Sequence, residues 1–429
     1  MSELYLLVFL VLFILLGAPI GFVMVITPTI YIIFTGELPL ITIPYQMYEA
    51  IAHAPLVAIP FFLLTGELMN NGNITDRLVE LARELVGRAR GGLAQVNVLV
   101  SMIFAGMNGS AVADSAVVGS LIIPAMTKAG YEAPFAAALT AVTSTIGGII
   151  PPSIIMILIA SSLSLSVGAL FAAGFVPGVM VGIAFMVVCY IYAVVRGYER
   201  YEVPFTWRAL MCAFSRSGLA LLIPFILVGG IVSGIWGTVE SGAITACYSF
   251  IIGKFIYKSL SWQDFFEAVQ RAVVTTSTVF IIIAAAGPFG WMLTRLGALN
   301  FVQDWLLSFI DSPIVFALVI VAFMIFVGMI MDVVANIIVL GPSLVYVLVQ
   351  AGYHEFQAAL VVCVGLLMGV VTPPVGIAFF TVAAIAREKL ETVAYALIPF
   401  ILVEIGVLFL LLVFPQASLF MPELFGFQP

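Results

Sequence analysis

The sequence predicts an all-α polytopic membrane protein that contains an internal inverted repeat. Its composition is the first indication: 63% of the 429 residues are hydrophobic, 9% are charged, and the mean hydropathy is +1.25. These values lie far outside the range of soluble domains. Apolar runs of about 20 residues, long enough to cross a hydrocarbon core of about 30 Å, also recur along the whole chain. The third indication is a Gly- and Pro-rich segment that occurs twice.

The duplicated segment combines polar residues and helix breakers within an otherwise apolar sequence. Residues 106–152 align without a gap with residues 328–374, an offset of 222 positions. The matched positions include Gly106 with Gly328, Met107 with Met329, Ala-Gly-Tyr 129–131 with 351–353, and Pro151-Pro152 with Pro373-Pro374. Shared hydrophobicity alone would not align glycines and prolines in this way. The rest of the chain is therefore interpreted as a frame for these two segments.

The first half is predicted to contain an ordered series of apolar helices. They are two short helices within residues 4–35, separated at Gly17-Ala18-Pro19; a span near 45–70; a surface helix at 75–89; an interrupted stretch at about 94–125; a helix broken at 147–152; and a span near 168–195. The surface helix is amphipathic, with leucines on one face and charged residues around the rest. The run that follows Met1-Ser2-Glu3 lacks a basic start and a small-residue cleavage site, so a retained helix is expected there.

The second half repeats this plan after a polar, Arg-containing stretch. Its predicted elements are spans near 217–235, 238–253 and 272–292, a surface helix at Ala298 to Ile310, an interrupted stretch at about 314–347, a second broken helix, and a final helix near 392–413.

The Lys and Arg distribution predicts how these elements cross the membrane. If each interrupted stretch enters and leaves on one side as a re-entrant helical hairpin, the chain has ten spans and two hairpins. Cytoplasmic loops are enriched in Lys and Arg. With the N-terminus outside, this layout places every one of the 15 Lys and Arg residues on the cytoplasmic side except Arg295. Each half has five spans, an odd number, so the two halves are expected to be inverted and both termini to lie outside.

Inverted repeats with broken helices near the midplane are a recurrent plan of secondary transporters. Unwound carbonyls and hydroxyls replace the water around Na⁺, and the N-termini of half-helices attract anions. A double Pro removes two backbone donors and stops a helix. The candidate Na⁺ ligands are Asn108, Ser110, Gly147, Gly148 and Ile150 in the first half, and Asp332, Gly369, Val371 and Thr372 in the second. The candidate substrate-binding residues are Asn108, Ser110, Ser153, Asp332, Asn336 and Thr372.

Two interpretations are open for each of several acidic residues that lie in apolar surroundings. Ionisable groups at membrane depth are costly, so a functional role is the default. Asp114 either caps the first hairpin or belongs to a site. Glu67, Glu240 and Glu404 either bind substrate or ion, or hold helices together.

The motifs resemble those of the large membrane subunit of the tripartite ATP-independent periplasmic (TRAP) transporters. The similar stretches are the G-S-x-x-A-D pattern that ends at Asp114, G-x-I-I-P-P-S at 147–153 and G-x-x-T-P-P-x-G at 369–376. The resemblance covers essentially the whole chain. Two departures are Asn108, where Ser is commoner in the family, and G-T-V-E at 237–240 in place of T-P-T-E.

The resemblance implies a multi-pass protein of the bacterial inner membrane that imports an organic anion, such as a C4-dicarboxylate, a keto acid or a sialic acid. It implies Na⁺ as the coupling ion, with at least two sites, and an elevator mechanism. The implied partners are a small four-helix membrane subunit and a soluble periplasmic substrate-binding protein. No nucleic-acid partner is expected, because nothing in the chain is both basic and aromatic.

The elevator plan divides the chain into transport and scaffold parts. Scaffold helices and the first arm helix are expected at 1–93, the first half of the transport domain at 94–165, and further scaffold helices, the linker and the second arm at 166–313. The second half of the transport domain is expected at 314–386 and the final scaffold helix at 387–429.

Three other functions share some features with this sequence. A related two-hairpin sodium symporter would work without a binding protein. An intramembrane aspartyl protease would use Asp114 and Asp332, but the Tyr-Asp and Gly-x-Gly-Asp motifs of that class are missing. A channel is disfavoured because hairpins suggest closed sites and not a continuous pore.

Overall fold

The computed structural model describes residues 18–108, 111–198 and 206–427. These residues form helices joined by short connections, and no β-strand occurs among them. The predicted all-α fold is therefore confirmed. The expected helix before Gly17 lies outside the described residues.

The helices of the first half follow the predicted order. They are α1 (Ile20–Thr35), α2 (Thr42–Ile51), a 3₁₀ turn (Ala54–Val57), α3 (Ala58–Asn71), α4 (Ile74–Val86), α5 (Gly92–Asn108), α6 (Ala111–Lys128), α7 (Ala133–Ile149), α8 (Ile154–Leu163) and α9 (Val167–Arg196).

The second half contains the matching elements and one addition. They are α10 (Trp207–Val232), α11 (Thr238–Ile251) with a π-helical turn (Ile252–Ile256), α12 (Trp262–Arg295), α13 (Ala298–Leu307), α14 (Pro313–Ile330), α15 (Val333–Val339), α16 (Gly341–Gln350), α17 (Glu355–Val371), α18 (Ile377–Ala386), α19 (Leu390–Val413) and α20 (Gln416–Leu424). The short C-terminal helix α20 was not predicted from the sequence.

The repeat extends to the helix boundaries. Adding 222 to the limits of α7, 133 and 149, gives 355 and 371, which are the limits of α17. With the same offset, the first and last residues of α4, α5 and α9 match those of α13, α14 and α19, respectively, to within a few residues. The duplication seen in the sequence is therefore a duplication of the fold.

The two halves differ most at α2 and α3, where the sequence predicted a single span near 45–70. The structure bends this segment by 66° between α2 and α3, whereas its counterpart lies within the continuous 34-residue helix α12. Pro55 at the bend is matched 222 positions later by Ser277. Proline lacks the N–H that an uninterrupted helix needs, so only the first copy is broken.

Two helices begin ten residues before the spans predicted from hydropathy. Helix α10 begins at Trp207 and α12 at Trp262. Their first turns carry charged residues that lower the local hydropathy. A Ser261 capping box, in which the side chain accepts from the Asp264 N–H while Asp264 accepts from the Ser261 N–H, fixes the start of α12.

The helices pack as two groups. The inner group comprises α5–α9 and α14–α20, and its centre is formed by α7 and α17, which pack against each other and are buried along nearly their whole length. The outer group comprises α1–α3 and α10–α12. The amphipathic helices α4 and α13 contact members of both groups.

The helices α9 and α19 belong to the inner group by packing. Helix α9 contacts six inner helices, α5, α7, α8, α17, α19 and α20, and one outer helix, α10, while α19 contacts the inner helices α7, α9 and α17. Long-range polar contacts follow the same division: Gln95 of α5 donates to the Met186 carbonyl of α9, and Gln357 of α17 donates to the Leu411 carbonyl of α19.

Candidate functional site

The first double proline separates α7 from α8 by a short extended segment. Helix α7 ends at Ile149, Ile150 is extended, the Pro151–Pro152 peptide bond is cis, and α8 leaves at an angle of 40°. The Ser153 hydroxyl joins the two sides, because it donates to the Gly148 carbonyl at 2.7 Å and accepts from the Met156 N–H at 3.3 Å. Ser153, expected to bind substrate, thus acts as the N-cap of α8 in this structure.

The second double proline repeats this geometry with different side chains. Helix α17 ends at Val371, Thr372 is extended, and the Pro373–Pro374 peptide bond is cis. The Thr372 hydroxyl donates to the Met368 carbonyl at 2.6 Å, and the Thr372 carbonyl accepts from the Gly376 N–H at 3.2 Å. The Gly369 carbonyl also accepts from the Thr372 N–H at 3.1 Å, so three of the predicted oxygens at this break already have partners within the chain.

The second interrupted stretch breaks at Met331-Asp332, as predicted. The Asp332 carboxylate accepts from the Val334 N–H at 2.9 Å and is the N-cap of α15. The Asn336 amide donates to the carbonyls of Val327, at 3.2 Å, and Met331, at 3.0 Å, across the break. Its other amide atom, Oδ1, is buried and accepts no hydrogen bond from the described residues.

This break lies beside the second double-proline break. A Cβ added to Gly369 would lie 2.3 Å from the carbonyl carbon of Gly328, so the backbones of α17 and α14 touch there. A cavity of about 230 Å³ opens next to this contact. Its walls come from both breaks and from α1: Ala18, Ile20, Gly328, Met329, Ile330, Met331, Asp332, Val370, Val375 and Ile377. The structure therefore brings Asp332 next to the break that holds the other predicted ligands of the second half.

The corresponding part of the first half is described less fully. Helix α5 ends at Asn108, whose side chain lies outside the described residues, as does all of Ser110. Asp114 is buried in the first turn of α6. The helices α5 and α6 both pack against α7, and the Asn97 amide of α5 donates to the Thr140 hydroxyl of α7 at 2.8 Å. Gly147 and Gly148 are buried at the end of α7.

We call the predicted Na⁺ ligands of the first half and those of the second half the first and the second half-site, respectively. The helices α7 and α17, which carry the two double-proline breaks, approach each other closely near these sites. A Cβ added to Gly148 would lie 2.4 Å from Cδ1 of Leu367, which precedes the second break by one turn. Leu367 is fully buried. The absence of a side chain at Gly148 allows Leu367 of the other broken helix to approach closely, as at other tight helix crossings in membranes.

A buried polar pair between α7 and α19 was not found from the sequence. The Thr145 hydroxyl lies 2.6 Å from Oε1 of Glu404, and both side chains are completely buried. The Glu404 carboxyl in an apolar run was noted in the sequence, but its partner 259 positions away carried no signal. This hydrogen bond joins α7 to α19, as the interpretation in which Glu404 holds helices together requires.

The oxygen atoms at the second half-site suit a hard monovalent cation. The Asp332 carboxylate and Asn336 Oδ1 are acceptor oxygens, and Asn336 Oδ1 is buried without a donor among the described residues. Unwound carbonyls and side-chain oxygens of this kind coordinate Na⁺ in transporters with broken helices. The residues present therefore fit the predicted ion.

The sequence as a whole matches one family of membrane transport proteins. Residues 7–417 match the family described as "Tripartite ATP-independent periplasmic transporter, DctM component". The chain belongs to the DctM family. DctM proteins are transport permeases, so the expectation that the chain is a TRAP large membrane subunit and not an enzyme is confirmed.

Relatives of known name share this family. The chain is 34% identical over 409 residues to the sialic acid TRAP transporter large permease protein SiaM of Vibrio cholerae. This alignment covers 95% of this chain and 96% of that protein. It is 35% identical over 410 residues to the sialic acid TRAP transporter permease protein SiaT of Haemophilus influenzae, covering 95% of this chain but 66% of the longer relative. It is 33% identical over 385 residues to the C4-dicarboxylate TRAP transporter large permease protein DctM of Pseudomonas aeruginosa, covering 89% of each.

Two solved structures resemble the DctM fold described here. The YdaH transporter of Alcanivorax borkumensis superimposes with a TM-score of 0.61 at 17% identity, over 86% of this chain and 87% of that chain. MtrF of Neisseria gonorrhoeae gives a TM-score of 0.60 at 14% identity, over 87% and 83%. At these identities the likeness concerns the fold alone.

Proposed function

We propose that this DctM-family chain is the sodium-coupled permease subunit of an importer for an organic anion. The observation that carries the proposal is the meeting of the two breaks of the second half, where Gly328 touches Gly369 beside Asp332. Chain breaks that converge at membrane depth expose carbonyls and helix ends to a bound ion or substrate. The repeat supplies a second, related half-site at Asn108, Ser110, Gly147, Gly148 and Ile150.

One Na⁺ is assigned to each half-site. In the second half, Asp332 supplies a carboxylate, while Gly369, Val371 and Thr372 supply backbone or hydroxyl oxygens from the break. The anion is expected between the half-sites, with the half-helix N-termini as polar contacts. The Ser153 hydroxyl and the Asn336 amide contact it only after they release the carbonyls to which they donate in this structure. A positive helix end stabilises a carboxylate without requiring an arginine in the site.

The packing supports an elevator movement of the inner group against the outer group. Contacts between the groups include an apolar layer in which Phe289 and Ala285 of α12 cluster with Ala335 and Val339 of α15. Apolar surfaces can slide without breaking hydrogen bonds. The ion pair Arg196–Glu132, by contrast, lies within the inner group, and Arg216–Glu80 joins the outer helix α10 to the amphipathic helix α4.

The packing also favours a shift in the boundaries expected from the sequence. Residues 166–313 and 387–429 were assigned to the scaffold, yet α9 and α19 within them pack in the inner group. The proposed moving body therefore includes α9 and α19 as well as residues 94–165 and 314–386. The proposed scaffold consists of α1–α3 and α10–α12, with α4 and α13 as connecting arms.

The substrate class and the partners are proposed from the family. Relatives carry the names of sialic acid, C4-dicarboxylate, isethionate and 2,3-diketo-L-gulonate transporters, and these compounds are organic anions. The proposed partners are a small four-helix membrane subunit and a periplasmic binding protein. The proposed location is the bacterial inner membrane, with the halves inverted and both termini on the periplasmic side.

Uptake into proteoliposomes tests this function. The chain is reconstituted with and without its small subunit and binding protein, and uptake of labelled N-acetylneuraminate and succinate is measured with an inward Na⁺ gradient or an equal K⁺ gradient. Uptake is expected only with Na⁺ and both partners. Uptake by the chain alone would instead support the stand-alone symporter, and uptake that is equal in both salts would exclude sodium coupling.

A further inference from the structure

The two interrupted stretches contact the outer group differently, although the repeat relates them. In the second half, α15 packs against α12, where a Cβ built on Gly290 would lie 3.6 Å from the Val339 Cα. The offset of 222 turns this contact into one between α3 and α6, but no comparable packing joins these two helices among the described residues. Leu68 of α3, the counterpart of Gly290, packs instead with Leu260, just before α12, and with Ala268 of α12. The inner group is therefore not placed symmetrically against the outer group.

The start of α1 lies against the second half-site. Ala18 and Ile20 line the same cavity of about 230 Å³ as Asp332 and Ile377. The first two residues belong to the start of the outer group, and the last two belong to the inner group. The wall that Ala18 and Ile20 form beside Asp332 therefore depends on how the two groups are placed.

The counterpart of this wall in the first half carries a carboxylate. Helix α1 corresponds to α11 with its π-helical turn, and both end at a left-handed residue, Gly36 with φ 64° and Lys258 with φ 54°, which are 222 positions apart. The same offset places Glu240 at the position of Ala18. Glu240 lies in the first turn of α11, is exposed, and forms no ion pair with another described residue.

Exchanging the contacts of the two halves gives the opposite position of the inner group. In transporters with inverted repeats, alternating access is largely a rigid-body movement of one bundle against the other. In the exchanged arrangement α6 packs against α3, and the start of α11 faces the first double-proline break as the start of α1 now faces the second. Glu240 then lies beside Gly147, Gly148 and Ile150, the predicted ligands at that break.

A carboxylate at this place would complete the first half-site. Asp332 supplies one to the second half-site, but the offset of 222 places Ser110 at the corresponding position. The predicted ligands of the first half are therefore amide, hydroxyl and carbonyl oxygens only. Acidic residues within membrane proteins are typically paired with a cation or lie on an ion pathway. The charge of Glu240 thus fits the site that it would face.

We propose that Glu240 supplies a carboxylate oxygen to the Na⁺ of the first half-site when the inner group stands in the opposite position. The inference rests on the proposed function. In the proposed orientation α11 begins on the periplasmic side, from which Na⁺ enters, so Glu240 takes part in sodium loading. In the position described here the same side chain is exposed and away from the site.

Cross-linking of cysteine pairs tests the geometry without measuring transport. In a full chain whose four native cysteines are replaced, the pair Ala18→Cys with Ile377→Cys spans the present cavity. The pair Glu240→Cys with Ile155→Cys is its counterpart 222 positions away. A short bifunctional thiol reagent should cross-link each pair in its own variant. The mixed pair Glu240→Cys with Ile377→Cys should not react, because these positions face each other in neither arrangement. Reaction of the 18/377 pair without the 240/155 pair would overturn the proposal.

Sodium titration of thermal stability assigns the role to the carboxylate. Glu240→Gln should raise the Na⁺ concentration for half-maximal stabilisation at least about tenfold, because a metal site loses an oxygen ligand. In the chain trapped by the 18/377 cross-link, the same substitution should leave that concentration unchanged, because Glu240 stays exposed. The control Glu391→Gln removes an exposed carboxyl at the start of α19 and should have no effect in either form. An equal effect of Glu240→Gln in both forms, or none in either, would contradict the proposal.

The outcomes distinguish this inference from the proposed function. A wild-type chain that Na⁺ neither stabilises nor drives to take up an anion would overturn both. A wild-type chain with both sodium effects, combined with an unreactive 240/155 pair or an unaltered titration of Glu240→Gln, would overturn this inference alone.

Discussion

Gly369 and Gly328 touch through their backbones, with only 2.3 Å between a Cβ built on Gly369 and the carbonyl carbon of Gly328. The contact joins the end of α17 to the end of α14, 41 positions apart (369 minus 328). It sets the distance between the Asp332 break and the second double proline. Both glycines have counterparts 222 positions earlier, at Gly147 and Gly106.

Gly369→Ala should separate the two breaks and abolish sodium-dependent uptake. The added methyl group would collide with backbone atoms that cannot rotate away, and overpacking of this kind costs about 1–3 kcal/mol. Thermal unfolding in detergent and proteoliposome uptake measure both effects. Gly406→Ala is the matched control, because a Cβ there meets nothing within 4 Å and alanine favours a helix. If both variants transport like the wild type, the contact does not set the site geometry.

Glu404→Ala should destabilise the fold more than Glu404→Gln. Alanine removes the contact with Thr145 and leaves a cavity between α7 and α19, at a cost of about 2–4 kcal/mol. Glutamine keeps an acceptor and nearly the same volume, so its thermal midpoint should remain close to the wild-type value. Thermal unfolding of the two purified variants measures the difference. Equal midpoints would show that the pair does not hold these helices together.

Asn336→Ala should weaken the break between α14 and α15. The variant leaves the Val327 and Met331 carbonyls without the donor that now bonds them, which costs about 1–3 kcal/mol. It should also reduce the apparent affinity for Na⁺, because Asp332 loses its fixed position. Sodium titration of thermal stability measures both changes. Asn300→Ala, at an exposed position of α13, should change neither quantity.

The inverted arrangement predicts opposite accessibility of the two amphipathic helices. Single cysteines at the exposed positions Arg83 of α4 and Asp304 of α13 are introduced after replacing the exposed Cys212 and Cys247. A membrane-impermeant thiol reagent added to intact cells should label the cysteine at 304 and not the one at 83. Inside-out vesicles should give the reverse pattern. Labelling of both sites from one side would contradict the inversion.

The helix breaks could be predicted because their causes are local. A double proline stops a helix wherever it occurs, and its recurrence after 222 residues distinguished these breaks from ordinary kinks. The bend at Pro55 has an equally local cause, but it occurs in the first half only, so the internal repeat could not be used to predict it. The early start of α12 was not predicted, because hydropathy does not detect a capping box and charged residues in the first turns lower the local value.

The polar contacts between distant helices could not be predicted from the sequence. Thr145 and Glu404 are separated by 259 positions, and nothing near either residue specifies the other. Ser153 was expected to face substrate, but its position directly after a double proline also makes it the N-cap of α8. The grouping of α9 and α19 with the broken helices likewise depends on side-chain packing and not on hydropathy.

Sodium binding by the purified chain tests the central claim most directly. Thermal unfolding is followed in NaCl and in choline chloride at equal ionic strength, for the wild type, Ser110→Ala and Asp332→Ala. Na⁺ at 100 times its dissociation constant stabilises a protein by about 2.7 kcal/mol per site. The account predicts a higher midpoint in Na⁺ for the wild type and a smaller sodium-dependent shift in each variant. Identical midpoints in the two salts for the wild type, or an undiminished shift in both variants, would contradict it.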